Sequence, residues 1–282
     1  MINVAYQGEP GAWSEQAALE FFGAEAAPQP QATFDAVFDS VASGEAHYGC
    51  VPVENSLGGS IHRNYDLLMR HQLHVVGEVI VRVRWCLITH PGVTIGALRK
   101  VTSHWQALAQ TEKSLNRLLP DAERHEVYDT AGSVKLLKES GARDTAAIAS
   151  RRAADIYGLP VIEEGLEDDP ANYTRFVILA PAGAVARPAA SNTGELCKTS
   201  IVFATRNVPG SLFRSLAAFS LRDIDLCKIE SRPLQGSPWE YLFYLDVVVH
   251  IDDPACQHAL DHLREYATFM RVLGSYPRAK TP

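Results

Sequence analysis

No apolar run in this chain approaches the roughly 20 residues a helix needs to cross a bilayer. The opening Met1-Ile2-Asn3-Val4-Ala5-Tyr6 goes straight into a strand-like run, with no basic leader and no cleavage site. Basic charge is in deficit: 26 Lys and Arg against 33 Asp and Glu give a net charge of −7, which argues against a nucleic-acid surface. Cysteine is sparse. Cys50, Cys86, Cys197, Cys227 and Cys256 are odd in number and form no Cys-x-x-Cys, so reduced thiols in the cytoplasm are expected and no metal framework is. His62, His71 and His74 are not spaced to face one metal and read as surface or capping residues. Gly-x-Gly-x-x-Gly and a Walker lysine are both absent, which removes the dinucleotide and P-loop readings; no cofactor is expected.

What is present is ordinary globular composition, 46% hydrophobic and 21% charged over 282 residues, enough for two domains with their own cores. Strands and helices alternate through the first 180 or so residues. Ile2 to Tyr6 is a strand, and Gln7 to Ser14 a glycine-containing turn that leads into a helix from Glu15 to Phe22. Ser14 is placed as N-cap, and the turn suits either a plain cap or an anion site. Tyr48 to Val53 is a strand that ends in Glu54-Asn55-Ser56-Leu57-Gly58-Gly59-Ser60. Val101 to Ser103 is another, with Ser103 as cap of a helix from Gln106 to Leu119 that carries Gln106 and Gln110 on one face. His104 suits either acid–base work or capping. Asp129 to Ser133 opens a further helix. Asn172 to Leu179 ends this region: Thr174-Arg175 stands at the mouth of a buried strand, before an Ala/Pro/Gly-rich linker. Hydroxyl and amide groups thus recur at strand C-terminal ends, where ligands collect in open α/β sheets. After the linker the order becomes βαββαβ, a ferredoxin-like domain, with a turn at Gln235-Gly236-Ser237-Pro238.

Taken together, Tyr6 to Ser14, Pro52 to Ser60, Ser103 to Gln110, Asp129 to Gly132, Asn172 to Phe176, Pro209 to Leu212 and Glu230 to Pro233 resemble, in order, the motifs of prephenate dehydratases that carry a C-terminal ACT regulatory domain. The resemblance covers nearly the whole chain. One departure is Trp105, where the family usually has proline. A fused chorismate mutase, seen in some relatives, is not expected here.

The resemblance implies an α/β fold with a two-lobed, periplasmic-binding-protein-like catalytic domain and an α+β ferredoxin-like ACT domain. The expected boundaries are 1–182 for the catalytic domain (lobes 1–80 with 163–182, and 81–162), 183–196 for the linker and 197–279 for the ACT domain. It implies conversion of prephenate to phenylpyruvate with loss of CO2 and water. Thr174 would donate to the leaving hydroxyl and Arg175 would offset developing negative charge. Glu54 and His104 rank below Thr174 as acids. Gly11, Ser14, Asn55, Ser56, Ser103, Gln106, Gln110, Thr130 and Phe176 would bind substrate. L-phenylalanine would bind as effector at Asn207, Pro209, Gly210, Ser211 and Leu212 of one subunit and Glu230, Ser231 and Arg232 of another, in a homodimer or homotetramer. The same residues suit arogenate dehydratase; the other alternative is a non-catalytic amino-acid sensor, against which the intact Thr174-Arg175-Phe176 and Glu54-Asn55-Ser56 segments speak.

Overall fold

The computed structural model describes residues 1–185, 193–234, 236 and 239–280. The middle of the expected linker, residues 186–192, and Gln235, Ser237 and Pro238 of the expected turn lie outside the described residues. Contacts divide the chain into two units, Met1–His71 with Val79–Val177, and Gln72–Glu78 with Ile178–Pro282.

Two sheets position the candidate site of the first unit. In the first, the strand order is Ala26–Gln31, Ile2–Gln7, Tyr48–Asn55, Tyr173–Pro181, Leu73–Arg82, and the short Gly59–Ser60 pairs with Tyr48–Asn55. The division between the units falls inside two of these strands, Leu73–Arg82 and Tyr173–Pro181. Ile2–Gln7 runs parallel to both its neighbours, and its Val4, Ala5 and Tyr6 are buried in succession, on both faces. The second sheet has the order Val161–Glu164, Cys86–Ile88, Thr145–Ala149, Lys100–Ser103, Glu123–Glu126. Its centre, Thr145–Ala149, is buried along its whole length, as a strand covered on both faces must be. Tyr6 and Ala12, from the first sheet's side, pack into the same apolar cluster as Ile88, Ala147, Val134 and Ala153. That shared core holds the two sheets together.

Several local expectations need correction. Helix Trp13–Phe22 starts earlier than the pattern suggested: Ala12 is its N-cap, with no side-chain cap bond, and Ser14 lies in the first turn. The expected single helix from Gln106 to Leu119 is two, Trp105–Gln110 and Glu112–Leu118. At the break the Thr111 hydroxyl donates to the carbonyls of Ala107 at 2.8 Å and Leu108 at 3.3 Å, a back-bonding habit of threonine that bends helices. His104, not Ser103, caps the first of these, its Nδ1 accepting the Gln106 N–H at 3.4 Å.

The second unit holds an antiparallel sheet in the order Leu226–Pro233, Tyr241–Val247, Thr193–Thr205, Ala267–Ala279. Helices Ser211–Ser220 and Pro254–Tyr266 complete βαββαβ, and the sheet order is that of a ferredoxin-like domain. Leu212, Leu216 and Phe219 pack with Ile201, Phe203, Leu245, Leu260 and Leu263 in its core. Gln72–Glu78 belongs to this unit. Arg271 donates to the Leu73 carbonyl at 2.6 Å, and Lys198 reaches Glu78 at 3.0 Å. Gly274 lies so close to the backbone of Val75 that a Cβ there would collide with its carbonyl.

Candidate active site

A cavity of about 730 Å3 lies within the first unit. Five helix starts contribute to its wall: Trp13 and Ser14 of Trp13–Phe22, Thr33 and Phe34 of Phe34–Ser43, His62 and Arg63 of His62–Arg70, Trp105 and Gln106 of Trp105–Gln110, and Asp129 and Thr130 of Thr130–Ser140. The first-turn N–H groups of a helix have no intrahelical acceptor, and the dipole puts partial positive charge there. A cavity ringed by such ends favours an anion. Aromatic surface adds to the wall, with Trp13 and Trp85 meeting edge to face at 5.6 Å and Phe176 and Trp105 also lining it.

Thr174 lies in the wall and is only 8% exposed. Its Oγ1 accepts from Asn55 Nδ2 at 2.9 Å. Asn55 is held in turn. Its Oδ1 accepts the N–H groups of Leu57 at 3.1 Å and Gly58 at 2.7 Å, and its Nδ2 also faces Asn172 Oδ1 at 2.8 Å and the Tyr173 carbonyl at 3.1 Å. Two backbone donors on Oδ1 settle which end of the amide is which. A hydroxyl that accepts from an amide keeps its own proton for another partner, and the cavity is the side left open to it.

Strand alternation decides the neighbours. Thr174 and Phe176 share the cavity face, while Arg175 projects to the other side and is not in the wall. The same rule separates Asn55, in the wall, from Glu54, which is not. Of the other substrate-binding candidates, Ser14, Gln106, Gln110 and Thr130 line the cavity and Gly11, Ser56 and Ser103 do not. Ser103 is fully buried and donates to the Ile148 carbonyl at 2.6 Å. Ser56 fastens the neighbouring segment, donating to the Ala171 carbonyl at 2.6 Å and accepting the Tyr173 N–H at 2.9 Å. The Gly11 N–H, expected to meet a carboxylate of the ligand, already donates to Glu15 Oε2 at 2.6 Å. That buried carboxylate is clamped by Arg152 at 2.9 and 3.0 Å.

Gly11 has a different role. Its carbonyl accepts from Ser150 Oγ at 2.7 Å, its φ is +96°, and a Cβ would lie 2.5 Å from the Cα of Ala153. Gly11→Ala is therefore expected to destabilise the fold by roughly 2–3 kcal/mol, from left-handed strain and overpacking together. A denaturant midpoint equal to the wild type's would refute this.

Among the wall's ionisable groups, Arg63 holds Asp35 with both carboxylate oxygens at 2.7 Å. Asp129 is 9% exposed and caps its helix through the Gly132 N–H at 2.7 Å. Burial raises its carboxyl above the usual range, against the lowering effect of its backbone N–H bonds. Burial lowers His104 against the raising effect of Asp129 and Glu126, which favours its neutral form as a cap. Tyr128 donates to Glu9 at 3.1 Å and is pushed up to about 12 by burial and that bond. Among the described residues no group of three or more His, Cys, Asp or Glu is placed to hold a metal. No helix there is long and apolar enough to cross a membrane.

Sequence reasoning missed Trp85, Trp13, Arg63–Asp35 and Asn172. Asn172 stood inside a motif already singled out. Trp85 carried no local signal, because its place depends on the fold.

In the second unit a smaller cavity of about 200 Å3 is lined by Asn207, Gly210, Ser211 and Leu212 of the expected effector segment, with Phe213, Tyr241 and Phe243. Pro209, Glu230, Ser231 and Arg232 are not in its wall. Ser231 stands opposite Phe243 across the sheet.

The prephenate dehydratase family profile matches residues 4–184. The chain is 48% identical over 286 residues to the arogenate dehydratase/prephenate dehydratase 2, chloroplastic, of Arabidopsis thaliana, covering 98% of this chain and 73% of that one. Among solved structures it is similar to the prephenate dehydratase of Arthrobacter aurescens in complex with L-Phe, at 30% identity and a TM-score of 0.88 over 98% of this chain and 90% of that. It is also similar to GqqA, described as a novel type of quorum quenching acylase, at 32% identity and a TM-score of 0.87 over 98% and 97%. The fold is that of the dehydratases, lyases of aromatic amino acid biosynthesis. The chain belongs to the prephenate dehydratase family.

Proposed function

We propose that this protein is a prephenate dehydratase: it converts prephenate to phenylpyruvate, CO2 and water, and L-phenylalanine regulates it through a C-terminal ACT domain. The observation that carries the reaction is a buried hydroxyl, Thr174, whose oxygen accepts from Asn55 and whose proton is left for a cavity ringed by helix N-termini. A substrate with two carboxylates suits that field. First-turn N–H groups at Trp13, Ser14 and Thr130 take the place expected of Gly11. As the ring carboxylate leaves as CO2, its C–C bonding pair enters the ring. The ring C–O bond breaks and the departing oxygen takes a hydrogen bond, then a proton, from the Thr174 side. The Asn55 N–H on Thr174 Oγ1 stabilises negative charge as it gathers there. Aromatic walls exclude water and favour the uncharged, decarboxylating state.

The proposed domains are 1–182, catalytic, and 197–279, ACT, joined by 183–196. Phenylalanine is placed in the smaller cavity, with Glu230 to Arg232 supplied by a second copy in a homodimer or homotetramer. Among the described residues no disulfide joins the cysteines, which suits the reducing cytoplasm.

The names of the plant relatives favour a second substrate, arogenate, with an amino group where prephenate has a keto oxygen. The test is purified protein with each substrate in parallel, with and without phenylalanine, following phenylpyruvate or phenylalanine formed. Turnover of prephenate that falls with added phenylalanine is expected. Turnover of arogenate alone would replace the substrate, and turnover of neither would overturn the reading.

A further inference from the structure

We propose that Asn172 is a positioning residue for this reaction, fixing the direction in which Thr174 gives its proton without itself reaching the cavity. The proposal rests on Thr174 being the donor. Asn172 is fully buried and is not in the cavity wall. Its side chain is the middle of a line of amides. At one end the indole N–H of Trp85, which can only donate, bonds Gln110 Oε1 at 3.0 Å. Asn172 Nδ2 donates to that same oxygen at 2.8 Å, so its Oδ1 faces the other way and accepts from Asn55 Nδ2 at 2.8 Å. At the far end the Leu57 and Gly58 N–H groups hold Asn55 Oδ1.

Gln110 and Asn55 are each fixed by a donor that cannot be reversed, and Asn172 joins the two in the one direction that satisfies both. Reversal of any one would place two oxygens or two N–H groups face to face in a buried site. The outcome at the end of the line is that Thr174 Oγ1 meets an N–H and not a carbonyl. Were Asn55 turned over, Thr174 would donate its proton to Asn55, and the cavity would face only lone pairs. The side chains bonded to Asn172 and Asn55 are amides and a hydroxyl, none of which titrates near neutral pH.

Asn172→Asp tests this, because it keeps the shape and removes the N–H toward Gln110. As a carboxylate it puts an oxygen against Gln110 Oε1, and the line has to break. Once protonated it offers an O–H in the same direction and restores the line. Turnover above neutral pH is expected to fall about 10- to 100-fold, the worth of a buried hydrogen bond or two, with KM nearly unchanged. It should then recover as pH is lowered, a rising acid limb absent from the wild type. Asn172→Ala, which can neither hold nor restore the direction, should lose turnover at every pH with KM held, and serves if the Asp variant does not fold. Wild-type turnover in either variant, or a loss in Asn172→Asp that is flat with pH, would overturn the proposal. If Thr174→Val keeps near-native turnover, the donor reading itself fails, a result distinct from either of these.

Discussion

Thr174→Val is expected to lower turnover by about 10^2- to 10^4-fold, the range of a positioned proton donor, while substrate affinity changes little. Valine keeps the shape and loses only the hydroxyl. In the folded protein the loss is mild. Asn55 Nδ2 has two hydrogens and keeps Asn172 Oδ1 at 2.8 Å and the Tyr173 carbonyl at 3.1 Å as acceptors, so no buried N–H is orphaned. One lost hydrogen bond costs about 1 kcal/mol of stability. A thousandfold loss of turnover is roughly 4 kcal/mol of barrier. The two magnitudes separate the explanations: a large fall in kcat with an unfolding midpoint close to the wild type's places the hydroxyl in the chemistry. Near-native turnover would remove Thr174 from it and return attention to His104, which also lies in the wall.

Motifs gave the position of Thr174 along the chain but not the direction in which its neighbour points. Thr174-Arg175 reads as a donor beside a cation, yet consecutive residues on a strand face opposite sides, and only Thr174 and Phe176 meet the cavity. Alternation is readable from sequence once the strand is recognised, so this error was avoidable. Gly11 is different. Its N–H is taken by Glu15, whose carboxylate is fixed by Arg152, 137 residues away in the chain, and nothing local encodes that pairing. The shared role of the helix starts was half legible. Ser14, Gln106 and Thr130 were named as ligand groups, while Thr33-Phe34 and His62-Arg63 were not, because a helix start carries no mark of the cavity it will face.

The strand Ala26–Gln31 escaped notice for a physical reason. With Pro28 and Pro30 it lacks two ladder donors and reads as a loop, but it lies at the sheet's edge, where an unpaired side tolerates proline. The βαββαβ order of the second unit was legible because its apolar periods switch cleanly between strand and helix, and Leu212, Leu216 and Phe219 fall on one buried face.

Lys198→Met is expected to cost the second unit about 3–5 kcal/mol, the usual penalty for removing one partner of a buried ion pair. Glu78 is 1% exposed and Lys198 is 6% exposed. The ammonium meets both carboxylate oxygens, at 3.0 and 3.1 Å, and Oε1 also accepts the Ala279 N–H at 2.9 Å. These contacts tie the strands Leu73–Arg82, Thr193–Thr205 and Ala267–Ala279 at one point. Without the cation a carboxylate stays out of water and loses this ion pair, and the stem of methionine does nothing for it. The pair itself need not be stabilising, since desolvating two charges offsets most of their attraction. That distinction fixes the control. In Glu78→Gln with Lys198→Met both charges are gone, and the amide oxygen still accepts from Ala279. The double variant should therefore recover most of what the single one lost, although it carries one more substitution. Denaturant unfolding of the full chain, followed by a probe in the C-terminal sheet because two units need not unfold together, gives the three midpoints. Losses that simply add would show that Glu78 and Lys198 act separately, and that the destabilisation comes from packing and not from a stranded charge.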